Sequence, residues 1–407
     1  MLLDFRFENT RSYRKENHLP LWAKGAASRA VAIYGANASG KTGVVEALST
    51  MRNLVLGSAR VGSTDVLPVS PFKLAEEPLA QPTLLELTFV LEAHVYRYGF
   101  AATARRIETE WLYRSENIEA YGKGVETPLF VREGERLHEG SESAKALLSR
   151  TLPNVLLLSK LDQDNDGLAK AMMRWMHCLT IVHAYSDDAM YGYSHAHLFH
   201  DPAYQTQIMD LMRYADTTIA DCREIDSPPP WEVVHDEQLR KLLRERFPKS
   251  EPKEVAFLRK SADGTQRLLP LSFQSEESAG TKKMFCMAGP LVDILKNGYT
   301  LIVDELDSKL HPLLVQKIVS LFVAERTNPH GAQLIFTTHD VELIRSGLLA
   351  PHHIFFSEKN LQGESFLYSL QNFRTASGYA SNELAERYLR GVFGAVPVFE
   401  ATPKETP

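Results

Sequence analysis

A single run of eight residues carries the residue types and spacing best suited to chemistry. It meets the pattern G-x-x-x-x-G-K-T in full with Gly35, Ala36, Asn37, Ala38, Ser39, Gly40, Lys41 and Thr42. Its two glycines allow the backbone to turn tightly enough to point several N–H groups at phosphate oxygens. Lys41 supplies a positive charge to the outer phosphates, and the Thr42 hydroxyl suits the ligand shell of a Mg²⁺ ion. The run therefore predicts a loop that binds nucleotide phosphates.

Two carboxylates, Asp304 and Glu305, end a second apolar run at residues 299–303. At the end of a buried strand, Asp304 suits the Mg²⁺ shell together with Thr42, and Glu305 suits the orientation and polarisation of an attacking water. Many core strands end in an acidic residue, so this pattern indicates a nucleotide site only in combination with the phosphate loop. The two motifs together predict nucleotide hydrolysis, with Lys41 and Glu305 among the catalytic residues.

A histidine and a serine complete the candidate site. His339 ends a third apolar run, residues 332–336, in the order Thr-Thr-His-Asp, and is predicted to sense the terminal phosphate. Ser278 and Gly280 precede a helical pattern, so they form either a second anion site or an ordinary helix start with Ser278 as its N-cap. Taken alone, the residues of this segment favour the ordinary helix start.

Periodicity predicts the elements that position these residues. The apolar residues 30–34 read as a strand before the loop, and Val44, Leu48 and Met51 follow the loop at helical spacing. Residues 3–7 alternate as a short strand. Three further alternating runs, 85–91, 94–100 and 106–113, predict an antiparallel meander, and Ile107 is expected on the same face as Trp111 and Tyr113. The fold class expected is therefore α/β with an antiparallel β lobe.

Residues from about 140 to 250 are expected to form a helical insertion. The helical stripes that predict it consist of Leu168, Met172, Trp175, Met176 and Leu179, and of Ile208, Leu211 and Met212. The insertion is expected to end near the proline run at residues 228–230. We therefore expect three parts: residues 1–140 with the phosphate loop and the β lobe, 141–260 as the insertion, and 261–407 with the remaining site motifs.

Two clusters in the expected insertion have two interpretations each. The first is either a metal site or a polar surface loop, and contains His195, His197, His200, Asp187, Asp188 and Asp201. The second is either a solvated helix face or a docking surface for nucleic acid or an acidic partner, and contains Arg240, Lys241, Arg244, Arg246, Lys249, Lys253, Arg259 and Lys260. In both cases the surface interpretation is favoured.

Composition limits the class of protein. The chain has 407 residues, enough for two or three lobes, and its net charge of −6 argues against a general nucleic-acid coat. Its three cysteines form no C-x-x-C pair, which fits a reducing compartment. Neither a secretory signal nor an apolar run of membrane-spanning length is found, so a cytoplasmic protein without a membrane partner is expected.

The order of the motifs (phosphate loop, Ser-x-Gly, Asp-Glu, Asp, His) resembles the ABC-type ATPase head of the SMC, RecF and overcoming-lysogenization-defect group. The closest resemblance is to SMC-like ATPases of prokaryotic defence operons, including abortive-infection loci. The segments that carry it are residues 8–13, 35–42, 277–282, 303–312, 337–340, 355–359 and 391–397. Two features depart from the family pattern: no clear Q-loop glutamine is present, and the signature reads Glu-Ser-Ala-Gly-Thr.

The resemblance implies an ATP- and Mg²⁺-dependent ATPase that works as a homodimer or higher homo-oligomer. In such heads Ser278 and Gly280 of one protomer would complete the nucleotide site of another, and Asp307 would lie at the seam. The resemblance further implies a sensor or scaffold in anti-phage defence, acting with a separately encoded nuclease or toxin. Two alternatives remain: a DNA-repair ATPase that binds DNA through the basic stretch, and an assembly scaffold with little turnover.

Overall fold

The computed structural model describes residues 1–118, 121, 126–183, 187–227, 236–246, 253–263, 265–373 and 378–397, and for residues 187–189 and 243–246 it describes the backbone. Tertiary contacts divide the chain into two units. The first comprises Met1–Ala184, Ile294–Ser308 and Val315–Pro407, and the second comprises Tyr185–Asp293 and Lys309–Leu314. The three-part division expected from the sequence stays a prediction.

The strands, in chain order, are β1 (Leu2–Glu8), β2 (Asn17–Pro20), β3 (Trp22–Ala23), β4 (Ala26–Ala27), β5 (Ala30–Tyr34), β6 (Thr83–Leu91), β7 (His94–Ala102), β8 (Ile107–Ser115), β9 (Thr127–Glu133), β10 (Arg136–Glu139), β11 (Leu179–Val182), β12 (Ile219–Asp226), β13 (Lys253–Lys260), β14 (Leu268–Ser272), β15 (Thr300–Val303), β16 (Gln333–Thr337), β17 (Ile354–Lys359) and β18 (Ser365–Ser369).

The helices are α1 (Lys41–Gly57), α2 (Glu77–Ala80), α3 (Glu142–Leu148), α4 (Leu157–Gln163), α5 (Gly167–His177), α6 (Asp187–His200), α7 (Pro202–Ala215), α8 (Glu237–Arg246), α9 (Ala279–Asn297), α10 (Pro312–Val323), α11 (Val341–Arg345) and α12 (Ser381–Leu389). Among the helices of the described residues, none is long and apolar enough to cross a membrane.

Two sheets organise the first unit. One is antiparallel with the order β10-β9-β8-β7-β6-β1-β2, and it contains the predicted meander. The other has the order β11-β15-β16-β5-β17-β18, and its strands are parallel except at the β17–β18 hairpin. The predicted α/β class with an antiparallel β lobe is confirmed. Because the strands before both nucleotide motifs are neighbours of β16 in one parallel sheet, their carboxyl ends lie at the same edge.

A register shift in the meander contradicts one prediction from the sequence, the common face of Ile107, Trp111 and Tyr113. Pairing between β7 and β8 is irregular at the Ile107 end of β8, and Ile107 is buried while Trp111 and Tyr113 are only half-buried. The expectation that these three share a face is wrong, because a bulge changes the face on which a side chain lies. Glu110 is fully buried instead, and its carboxylate is paired with Arg132 at 2.8 Å.

The region expected to be a helical insertion also contains strands. The stripe from Leu168 to Met176 lies on α5, but this helix ends at His177, and Leu179 starts β11. The assignment of Leu179 to the helical stripe is therefore wrong, because its backbone pairs with Thr300 of β15 in the parallel sheet. In the second unit, β12, β13 and β14 form a separate antiparallel sheet. The proline run at 228–230 lies outside the described residues.

Candidate nucleotide site

The phosphate loop connects the buried strand β5 to helix α1, as its sequence predicts. Its glycines are required by space and by backbone conformation. A Cβ atom at Gly35 would overlap the backbone oxygen of Ser357. Gly40 has a φ of 116°, and a Cβ atom there would lie 2.6 Å from Ser365 Oγ. A residue with a side chain is therefore excluded at both positions without a shift of the loop or its neighbours.

Lys41 is buried at the start of α1, and its ammonium group folds back over the loop. Lys41 Nζ donates hydrogen bonds to the backbone oxygens of Gly35 and Ala36, each at 2.9 Å. Burial lowers the pKa of Lys41, an effect opposed by the nearby carboxylates of Asp304 and Glu305. The Lys41 ammonium group, which is predicted to bind the outer phosphates, is thus held within the loop by two carbonyl groups.

The two motifs meet through a direct side-chain contact. Thr42 Oγ1 donates to Asp304 Oδ2 at 3.0 Å, although the residues are 262 positions apart. The other carboxylate oxygen of Asp304 accepts a hydrogen bond of 2.7 Å from Thr337 Oγ1. That hydroxyl in turn accepts the backbone N–H of Glu305 at 2.7 Å. A single buried threonine thus holds both acidic residues of the motif.

Glu305 and His339 follow the neighbouring strands β15 and β16 at the carboxyl edge of the parallel sheet. Glu305 has a φ of 52°, a conformation that is strained for a residue with a side chain. The backbone N–H of His339 donates to Asp307 Oδ2 at 3.2 Å. Partial burial and the neighbouring Lys41 lower the pKa of His339, against the opposing effect of the carboxylates.

A cavity of about 610 Å³ opens over the phosphate loop. Its wall contains Asn37 through Gly43, together with Glu305 and His339. The remainder of the wall comes from Arg11 and Ser12, from Glu46, from residues 70–74, and from Lys359 and Gly363. The volume is within the range of a site for a nucleotide-sized ligand. Of the sequence-predicted residues, the structure thus brings the loop, Asp304, Glu305, Asp307 and His339 together in the first unit, and their chemical roles stay predictions.

Ser278 and Gly280 lie in the second unit, at the start of α9. Ser278 caps the helix, as the ordinary interpretation predicts, because its Oγ accepts the N–H of Thr281 at 3.1 Å. The serine side chain is otherwise exposed. A Cβ atom at Gly280 would lie 3.0 Å from the backbone oxygen of Lys309, so this position favours glycine.

Arg259, from the basic stretch, anchors the segment that carries Ser278. Its guanidinium binds the buried Glu277 through both carboxylate oxygens, at 2.6 and 3.0 Å, and also binds Asp216 at 2.6 Å. Lys253 is likewise engaged, in an ion pair with Asp226. The Arg259 pair is partly buried, whereas the Lys253 pair lies on the surface. Lys249 lies outside the described residues, as do the side chains of Arg244 and Arg246.

The histidine cluster makes separate pairwise contacts. His195 Nε2 lies 3.2 Å from Glu224, and His197 Nδ1 lies 3.8 Å from Asp201. Among the residues that the structure describes, no group of three or more His, Cys, Asp and Glu side chains is arranged to hold a metal ion. The side chains of Asp187 and Asp188 lie outside that description.

Two contacts that support the candidate site were not predicted from the sequence. The position of Thr337 at the end of a buried strand, near His339, was the one sequence feature that could have indicated a role. Its contact with Asp304, however, depends on the pairing of β15 with β16. In the sequence, Arg259 stands out only as one of several basic residues. Its pairing with Glu277 depends on how β13 packs. Neither contact follows from local sequence spacing.

Comparison with solved structures finds chains of similar length but distant sequence. An SMC head bound to the C-winged helix domain of ScpA has 14% identity and a TM-score of 0.48, with 90% of this chain and 97% of that chain covered. The SMC head domain from Thermotoga maritima has 11% identity and a TM-score of 0.43, with 90% and 98% covered. CbiO1 from Clostridium perfringens, part of the ABC transporter complex cbiONQ, has 12% identity and a TM-score of 0.34, with 96% of each covered. Among curated proteins, no match is found.

A family model matches the chain itself. It covers residues 30–146 and 230–345, which together make up more than half of the sequence and include the phosphate loop, Ser278, Asp304, Glu305 and His339. The family is described as "AAA domain, putative AbiEii toxin, Type IV TA system". The predicted resemblance to ATPases of abortive-infection loci is thus confirmed at the level of the family. The chain belongs to this AAA-domain family.

Proposed function

We propose that this protein binds ATP in the cavity over the phosphate loop and hydrolyses it to ADP and phosphate. The observation that carries the proposal is the contact of Thr42 with Asp304, 3.0 Å long, at the mouth of a loop whose N–H groups suit phosphate oxygens. Glu305 and His339 line the same cavity. The phosphate loop, the Thr42–Asp304 pair, Glu305 and His339 together are the parts that nucleotide hydrolysis needs.

Each side chain has a distinct task in this proposal. Lys41 leaves the carbonyls of Gly35 and Ala36 and neutralises charge on the outer phosphates. Glu305 orients the water whose oxygen bonds to the γ-phosphorus and accepts its proton, while the bond from that phosphorus to the bridging oxygen breaks. His339 holds the transferred phosphoryl group through a hydrogen bond.

The site suits a Mg²⁺ ion. Thr42 Oγ1 and Asp304 Oδ2 are neighbouring hard oxygen donors, and Mg²⁺ is commonly held by one or two protein oxygens together with substrate phosphates. When bound, the ion neutralises charge that develops on the phosphate oxygens. Thr337 keeps the Asp304 carboxylate directed towards Thr42 by binding its other oxygen.

The same proposal includes an ATP-dependent homodimer. Ser278 and Gly280 of one protomer would contact the γ-phosphate bound by its partner, with Asp307 near the seam. The exposure of Ser278 at the N-terminus of α9 supports this, because the N-terminal end of a helix attracts anions. ATP would then join two protomers, and hydrolysis would release them.

We further propose that this cycle serves anti-phage defence, in which the protein senses infection or organises a separately encoded nuclease or toxin. The family description, which names an AbiEii toxin and a type IV toxin–antitoxin system, supports this role. DNA repair through the basic stretch is less well supported, because Arg259 is held by Asp216 and the buried Glu277.

Phosphate release from MgATP by the purified protein tests the core of the proposal. We expect K41A to lose ATP binding, and E305Q to bind ATP, hydrolyse it poorly and accumulate as a dimer in analytical ultracentrifugation. E92Q, which changes an exposed glutamate in the β6–β7 turn, is the matched control and should behave as wild type. Wild-type turnover by K41A would refute the proposal. If the wild type binds ATP and dimerises without turnover and E305Q changes nothing, the protein is a scaffold.

A further inference from the structure

The backbone carbonyl groups of the phosphate loop are held by hydroxyl groups from distant strands. The oxygen of Ser39 accepts a hydrogen bond of 3.0 Å from Ser357 Oγ on β17 and one of 2.6 Å from Ser365 Oγ on β18. Both serines are at most 1% exposed. A carbonyl oxygen has two lone pairs, so it can accept from both hydroxyls. Ser365 Oγ also lies 2.8 Å from Ser12 Oγ, so its single proton is shared between two acceptors.

A third hydroxyl, that of Tyr13, reaches the next carbonyl of the loop. Tyr13 OH lies 3.2 Å from the oxygen of Gly40 and 2.8 Å from Ser357 Oγ. Its single proton can be directed to either acceptor. Burial raises the pKa of Tyr13, so the phenol keeps its proton at any working pH and remains a donor. The ring is fully buried and packs edge-on against Phe7, which fixes the position of the hydroxyl.

These contacts bear on the direction of the loop's N–H groups. A peptide plane is rigid, so a carbonyl oxygen held on one side of the loop directs the N–H of the following residue to the other side. A loop that binds phosphate needs its N–H groups to face the ligand before the ligand arrives, because ordering them later costs binding free energy. The hydroxyls of Ser357, Ser365 and Tyr13 thus hold the carbonyls of Ser39 and Gly40 turned away from the cavity.

We propose that Tyr13, Ser357 and Ser365 are positioning residues that set the affinity of the phosphate loop for nucleoside triphosphates. They act through the Ser39 and Gly40 peptide groups and do not touch the nucleotide. This inference rests on the proposed function, since it assumes that the loop binds ATP. The strands that supply the serines follow the loop by more than 300 residues, so the affinity of the loop is set by strand pairing at the β17–β18 hairpin.

Titration calorimetry with Mg²⁺ and a non-hydrolysable ATP analogue tests the inference. We expect S357A to weaken binding by about tenfold, and S365A by a few fold because its proton is shared between two acceptors. The double variant should weaken binding by more than either single variant. Y13F should weaken binding a few fold, because its proton is shared between two acceptors. S159A is the matched control: its buried hydroxyl donates to Val55 O at 2.7 Å, at the far end of α1, and its loss should leave affinity unchanged.

Steady-state hydrolysis separates positioning from simple loss of stability. If the residues position the loop, KM for ATP rises while kcat stays within a few fold of wild type. If the variant is partly unfolded, fewer molecules are active, so the apparent kcat falls and KM is unchanged. Wild-type affinity in the S357A/S365A double variant, with the wild type itself binding ATP, would overturn the inference and leave the proposed function standing. Absence of ATP binding by the wild type would overturn the proposed function instead.

Discussion

Thr337 offers the sharpest test of the site, because one hydroxyl supports two acidic residues. It donates to Asp304 Oδ1 and accepts the N–H of Glu305, both at 2.7 Å, and the side chain is fully buried. Valine has nearly the same shape without the hydroxyl. T337V therefore removes both hydrogen bonds while leaving the volume of the core unchanged.

The expected magnitude follows from these contacts. A hydrogen bond to a charged group contributes about 1.5–3 kcal/mol, and a buried N–H left without a partner costs about 1–3 kcal/mol. We therefore expect the free energy of unfolding of T337V to fall by about 3 kcal/mol. Glu305 has a φ of 52°, and this strained peptide is free to relax once its N–H is released. A displacement of about 1 Å of its carboxylate would lower kcat about 100-fold.

Steady-state ATP hydrolysis, with chemical denaturation in parallel, measures both effects. KM for ATP should stay within about threefold of wild type, because the phosphate loop is not changed. T337S keeps the hydroxyl and should retain most of the activity. T300V removes a buried hydroxyl at the opposite end of β15, where it donates to Gln333 Oε1 at 3.3 Å, and should lower stability without lowering kcat. A T337V protein with wild-type kcat would refute the assigned role of Thr337.

Three further predictions follow from other contacts. G40A places a Cβ atom 2.6 Å from Ser365 Oγ at a φ of 116°, so ATP binding should be lost while circular dichroism is unchanged; wild-type affinity would contradict this. R259K keeps the charge but not the two-point contact with Glu277, and ATP-dependent dimerisation, measured by ultracentrifugation, should weaken about tenfold. Burial, and then the neighbouring His352 and Lys24, lower the pKa of His353 from 6.5 to about 4, so between these pH values the folded state lacks a proton that the unfolded state binds. Stability should therefore fall as the pH drops from 6.5 towards 4, and H353Q should show a smaller loss of melting temperature between pH 7 and 5 than the wild type; equal losses would contradict the assignment.

Local patterns predicted the parts of this protein whose conformation is decided nearby in the chain. The phosphate loop, the helix after it and the alternating strands of the meander each follow from residue spacing, and the structure contains all of them. The errors arose where a distant partner decides the outcome. Leu179 continues a helical stripe in sequence but pairs with β15, and Ile107 changes face because of a bulge opposite β7.

The sequence by itself determined the chemistry available to this protein: a loop built for phosphates, two carboxylates after a strand, and a histidine after another. Residue type and spacing suffice for that, because each motif is a local arrangement of a few bonds. Only the tertiary structure decided how the motifs are held. Thr337 between Asp304 and Glu305, and the serines of β17 and β18 behind the loop, were brought into place by the order of strands in the parallel sheet. That order is set by burial and pairing across hundreds of residues, which leave no local signal in the sequence.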